Sequence, residues 1–453
     1  MRDLAFIGFI AALLALGLRR PFLFVLAFTY VDIVSPQRLS YYLLNSIPIS
    51  LITAGLAIGG WLLLDDKRDF RIVPRQFLLL TLLVYAGVST VYADFPVEAA
   101  AKWDWVWRAL VWAIFLPLAL RTKLRVEAYL LFMTLSAAAI IIVGGMKTAA
   151  SGGGYGALNL MVDHDSGLYE GSILSTFAIA LIPIILWLAR YGTIFPREWR
   201  VRTFAYCLIF ACLLIPVGTE ARTGLVCIAV MAVLMLRDVK RRFLYLGLVG
   251  AAGMMAVPFL PQSFTARMST IQNYQADASA GTRLAVWGWT WDYVQKHPLG
   301  GGFDAYLGNT LRFTTTATTG DGAVATVTQN VEVDQGRAFH SSYFEMLGEH
   351  GFPGIILFLL IHGIGILRME ALRRRYRREQ SDEAWIAPLA TALQSAHIVY
   401  LVGSVFVGIA FQPFAYMLVG VQIGFDGYVK RKYAPGKAAG FVRRAEATRA
   451  VPA

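Results

Sequence analysis

Long apolar runs, each close to the thickness of a bilayer and separated by short basic clusters, restrict this chain more than any other feature. A helix needs about 20 apolar residues to cross the roughly 30 Å hydrocarbon core. Runs of that order lie near 45–64, 76–92, 105–120, 126–145, 168–189, 204–217, 223–236, 243–260, 350–367, 386–408 and 412–426. In hydrocarbon every backbone polar group must be satisfied within the chain, so such runs fold as helices. Charged residues make up only 15% of the 453 residues, against about 25% in a soluble domain. That is too little charge to cover a water-soluble surface of this size. A soluble enzyme, a disordered regulator and a disulfide-stapled secreted domain are excluded. Cys207, Cys212 and Cys227 all lie in apolar runs and suit neither a structural disulfide nor a metal site.

The predicted fold is an all-α polytopic membrane protein. Residues 4–34 hold two shorter runs split by Arg19-Arg20-Pro21, either two short tilted helices or one long broken element, so the expected count is twelve or thirteen spans. The start, Met1-Arg2-Asp3 and then an apolar run, reads as a retained membrane segment. The net charge of +12 could suggest nucleic acid. Its positives instead sit in clusters at 67–75, 121–125, 197–202, 237–242, 368–378 and 430–432, while intervening loops such as 93–101 lack the bias. This is the positive-inside pattern, and no nucleic-acid partner is expected. The organisation read from it is N-terminal spans over 1–260, a large external loop over 261–340, C-terminal spans over 341–428, and a basic cytoplasmic tail over 429–453.

Two external segments stand out. One, 144–168, carries Gly152-Gly153-Gly154 and the triplet Asp163-His164-Asp165. The other is the large loop. In 282–297, Leu284, Trp287, Trp291 and Val294 recur at spacings of three and four, one face of an amphipathic helix opened by Arg283. Pro298 stops it and Gly300-Gly301-Gly302 turns the chain. Residues 313–334 are rich in Thr and Val around Gly320-Asp321-Gly322 and predict a β-ribbon. A helix resumes near His340 towards the span at 350–367.

Ionisable groups held at the ends of spans are costly, and so are functional candidates. Arg222 lies in the tight connection Gly218-Thr219-Glu220-Ala221-Arg222-Thr223-Gly224. It either serves a ligand or is a turn residue paired with Glu220 or snorkelling to lipid phosphate. Arg108, in Trp105-Val106-Trp107-Arg108, fits an aromatic belt as well as a site. His340 stands where the loop returns to the membrane, and a neutral imidazole there can take a proton from a hydroxyl. Glu349 is nine residues on, nearly opposite on a straight helix; it need not touch His340 and suits bracing the start of the helix. His297 reads as a helix-end residue, and His362 and His397 as packed or bonded between helices.

Taken together these residues resemble the bacterial O-antigen ligase and polymerase superfamily, particularly the O-glycosylation ligases associated with exosortase systems. The resemblance runs from about 75 to 426. It rests on Glu220-Ala221-Arg222-Thr223-Gly224, on Gly281-Thr282-Arg283 followed by Trp287, on His297-Pro298-Leu299-Gly300-Gly301-Gly302, and on His340 with Glu349, Gly351 and Gly354. Arg19-Arg20-Pro21-Phe22 and Ser35-Pro36-Gln37-Arg38-Leu39 resemble the exosortase-associated subgroup. Ser341 stands where the family commonly has Asn, and Ala221 where it has Ser.

The resemblance implies a GT-C-like fold in the bacterial inner membrane with its active site facing the periplasm. It implies a glycan donor on undecaprenyl diphosphate and an acceptor hydroxyl on a glycolipid, protein or polysaccharide, with membrane lipids around the chain. Neither cofactor nor metal is required. Transfer builds negative charge on the leaving diphosphate, which fixed guanidiniums stabilise. Arg222 and Arg283 are the implied diphosphate ligands, with Arg108 a third position. His340 is the implied general base, and Glu349 and Trp287 are supporting residues. A polymerase would use the same residues. A metal-dependent transferase would need Asp163-His164-Asp165 as ligands, and a transporter would show repeated halves, which the sequence lacks.

Overall fold

The computed structural model describes residues 2–40, 43–44, 46–67, 71–151, 168, 170–260, 264–265, 278–319, 326–379 and 383–433. The Asp163-His164-Asp165 triplet, Gly152-Gly153-Gly154 and the Gly320-Asp321-Gly322 tip lie outside the described residues. The first half is helical throughout: α1 (Arg2–Gly17), α2 (Phe22–Val34), α3 (Pro36–Leu39), α4 (Ile49–Leu64), α5 (Pro74–Val91), α6 (Pro96–Ala119), α7 (Lys123–Ser151) and α8 (Gly171–Tyr191). Then come α9 (Trp199–Gly218), α10 (Arg222–Leu236), α11 (Arg242–Ala256) and α12 (Ala278–Lys296). An antiparallel ribbon of β1 (Thr310–Thr319) and β2 (Thr326–Gln335) follows. The chain closes with α13 (Ser342–Tyr376), α14 (Ile386–Gly403) and α15 (Pro413–Lys432).

Among the described residues, six helices are long and apolar enough to cross a membrane: α5, α7, α8, α9, α13 and α14. Each expected run coincides with a helix, and the uncertain stretch 4–34 folds as the two helices α1 and α2. Several boundaries differ from expectation, among them α6, which begins at Pro96 inside the expected loop 93–101, and the two described next. Helix α7 runs through 144–151, where a loop was expected, because Gly145 lets Ala211 of α9 pack against its backbone and Gly218 does the same for Thr148. The expected span 386–408 ends at Gly403, and 404–412 is irregular. That stretch is stitched to the start of α13. The Ser342 backbone N–H donates to the Ser404 carbonyl (2.8 Å), the Ser342 hydroxyl accepts from the Ile409 N–H (2.9 Å), and Glu345 accepts from the Ala410 N–H (3.0 Å). Irregular backbone inside an apolar bundle is tolerated only when other protein groups satisfy it in this way.

Of the six long helices, α8 and α14 are the most enclosed. A buried polar chain ties α14 to its neighbours α13, α15 and α5. Arg75 of α5 donates to Gln422 of α15 (2.9 Å), Gln422 meets the His397 ring (3.0 Å), and His397 meets the His362 ring (2.6 Å). Both histidines therefore bond between helices, as expected. Helix α13 carries the geometry furthest. It begins beneath the ribbon and ends in Arg373, Arg374 and Arg375, up to about 50 Å away at 1.5 Å per residue. It is kinked at Gly351 (φ 61°, ψ −160°), a backbone region that essentially only glycine occupies.

Candidate active site at the junction of cap and bundle

Residues 278–319 and 326–340 form a cap on the bundle, and the cap docks through α12. The helix starts at Ala278, so Arg283 sits in its second turn and does not open it. Its buried stripe is Val286, Thr290 and Val294, a face rotated from the expected one. Leu284 and Trp291 are exposed. The reason lies on α13, where Gly348 leaves room for Phe339 and the Thr290 methyl. The small face of α12 can approach there, and the large side chains are turned aside. Trp287 keeps its expected place at the seam. Its ring stacks on Phe344 (centroids 4.8 Å, 6° between planes) and its Nε1 donates to the Phe339 carbonyl at 2.9 Å.

The turn after α12 clamps onto the kink of α13. Gly301 N–H donates to the Gly348 carbonyl (3.0 Å), Gly302 N–H to the Glu349 carbonyl (2.9 Å), and Phe352 N–H to the Pro298 carbonyl (3.0 Å). Gly300 and Gly302 have positive φ, which explains the glycines at these two positions. The connection between α5 and α6 is held to the same turn and to α12, since the Asp94 N–H donates to the Gly301 carbonyl (2.8 Å) and Tyr293 donates to the Asp94 carboxylate.

Behind this clamp lies a buried charge cluster that reading the sequence missed. Lys102 of α6 meets Glu349 (2.7 Å), Glu345 (2.8 Å) and Asp304 (3.6 Å). Glu349 also accepts from the Asp304 N–H at 3.0 Å. Glu349 thus braces cap, α6 and α13 together, and is set apart from His340. One signal was available: Glu345 and Glu349 are four residues apart, hence on one helical face, and two buried carboxylates on one face require a cation. Asn309 was missed as well. It is buried, accepts from the Arg337 N–H (3.0 Å) and donates to the Arg337 carbonyl (2.7 Å), fixing the strand exit that leads to His340.

His340 stands between ribbon and α13 with a left-handed backbone (φ 48°), a conformation unusual outside glycine but enriched in His, Asn and Asp. The residue is exposed. The protein packed around it still strips water from the imidazole and pushes it below its ordinary value. Arg283 and Arg337 push the same way, and Glu170 opposes them. Arg283 and His340, singled out separately in the sequence, are therefore electrostatic neighbours. Glu170 and Arg337 join them without having been singled out. Glu170 caps α8, accepting from the Ile173 N–H at 2.7 Å.

Arg222 is the first residue of α10, which packs on α8 where Gly224 meets Ser175. That contact lies little more than a turn from Glu170. Two helix N-termini, of α8 and α10, thus face the same region, and both favour an anion. Arg108 belongs to different surroundings. It pairs with Asp104 (2.6 Å), lies over Trp107 (5.7 Å) and acts on Asp32 of α2. None of its described contacts reaches His340.

Polar and cationic groups on separate elements, converging under a clamped cap, suit an anionic ligand next to a neutral base. Residues 207–359 match the family described as O-antigen ligase. The match spans α10, the cap and the first half of α13, so Arg222, Arg283, Trp287, His340 and Glu349 all fall inside it. It supports the ligase and polymerase superfamily of membrane glycosyltransferases. Residues 1–193 match a family of unknown function, DUF5935; this part holds Lys102, Arg108 and Glu170. No curated relative matches the chain.

Proposed function

We propose that this protein is an O-antigen ligase-like glycosyltransferase of the bacterial inner membrane. It moves a glycan from undecaprenyl diphosphate to an acceptor hydroxyl at the periplasmic face, without a metal. The carrying observation is the grouping of His340 with Arg283 and Arg337 at the cap, near the N-termini of α8 and α10.

In this reading Arg222 and Arg283 hold the donor diphosphate, and the two helix ends add to the same field. His340, held neutral by its surroundings, accepts the proton of the acceptor hydroxyl. The acceptor oxygen forms a bond to the anomeric carbon as the bond to diphosphate breaks. The electron pair leaves with the diphosphate, where the guanidiniums stabilise it. Direct displacement inverts the anomeric centre. The Lys102 cluster and Trp287 keep the cap and the His340 backbone in register.

The test is transfer by purified protein from a lipid diphosphate-linked glycan of known anomeric configuration, with the new linkage read by NMR. Inversion supports direct displacement. Retention, or lipid movement without transfer, would refute it.

A further inference from the structure

A cavity of about 850 Å³ opens at the opposite, basic end of the bundle, between α8, α9, α10, α13 and α14. Apolar side chains, Leu186, Trp187, Leu234 and Ala387 among them, form part of its wall. Four arginines line it too: Arg190, Arg202, Arg373 and Arg377. Two carboxylates oppose them, Asp238 and Glu379. Asp238 already serves Arg373 and Arg377, at 3.2 Å each. Among the described residues no carboxylate pairs with Arg190 or Arg202, and both are exposed.

We propose that this cavity holds one anionic phospholipid, its phosphate among the arginines and its acyl chains against the apolar part of the wall. The size lies in the usual range for a ligand pocket, about 300–1,000 Å³. Hydrocarbon walls beside phosphate-binding guanidiniums match an amphiphile and suit neither a soluble anion nor a neutral lipid. The basic clusters 197–202, 237–242 and 368–378 assign this end to the cytoplasmic leaflet, where anionic lipids and basic interhelical pockets meet. The lipid would wedge α8 and α9 against α13 and α14. The cavity lies at the far end of α13 from His340, so the proposal stands whatever the cap site does.

Native mass spectrometry of the full chain in detergent, titrated with phosphatidylglycerol, tests it. One lipid should be retained, in preference to phosphatidylcholine, and inorganic phosphate should not displace it. Arg190→Gln with Arg202→Gln changes only exposed side chains and should weaken binding about thirtyfold, as expected for two cations facing a lipid phosphate. Thr391→Trp, which narrows the cavity, should weaken binding whatever the headgroup. Equal retention by the parent and the arginine pair would mean annular lipid only and would overturn the proposal. Displacement by inorganic phosphate would leave a bare anion site and overturn the lipid assignment.

Discussion

The indole Nε1 of Trp287 donates to the carbonyl oxygen of Phe339 at 2.9 Å, one residue before His340. A side chain of the cap helix thereby sets the backbone that aims the imidazole. Trp287→Phe keeps the stack on Phe344 and removes only that hydrogen bond, worth about 1 kcal/mol net. Its turnover should fall several-fold with melting nearly unchanged, and Trp287→Ala should fall further. Full activity in both variants would remove Trp287 from the positioning of His340.

Lys102 meets three carboxylates from two other parts of the chain. Lys102→Met should therefore destabilise the protein by about 3–5 kcal/mol, as expected when a buried ion cluster loses one partner. Glu349→Gln should be milder, because its amide oxygen can still accept from the Asp304 N–H. Thermal melting in detergent reads both, and equal melting of Lys102→Met and parent would contradict the brace.

Gly351 has φ 61° and ψ −160°, and a Cβ there would strike the Pro298 carbonyl. Gly351→Ala should release the clamp between the Pro298–Gly302 turn and α13. The cap should then be cut faster by protease than in the parent, while the apolar helices stay protected.

How much of this was legible beforehand depends on what each feature rests on. Helices set by composition were readable, except over 4–34, where two runs too short to span left one broken element or two helices open. The kink at Gly351 also had its signal, since Pro353 follows two residues later. The face of α12 was not readable. Its Trp spacing is real, but the choice of face belongs to Gly348, on a helix more than 50 residues downstream. Lys102 and Glu349 meet across 247 residues, and one chain cannot show such partners. Arg283 and His340 could be singled out by type; that they are neighbours is a property of the fold.

The pH dependence follows from those neighbours. Burial, Arg283 and Arg337 together outweigh Glu170 and lower the His340 pKa below its ordinary ~6.5. A base acts when unprotonated, so kcat/KM should hold steady through neutral pH and fall only below that value. A bound diphosphate would offset Arg283 and make protonation easier, so the fall in kcat should come at higher pH than that in kcat/KM. Coincident acid limbs would argue against donor binding beside His340.

Turnover of His340→Asn in a purified donor–acceptor assay tests the central assignment most directly. Asn tolerates the left-handed backbone at this position, so the loop should keep its shape and donor binding should stay within about twofold. The account expects turnover to drop by ~10²–10⁴-fold. Near-parental turnover with intact donor binding would contradict His340 as the base.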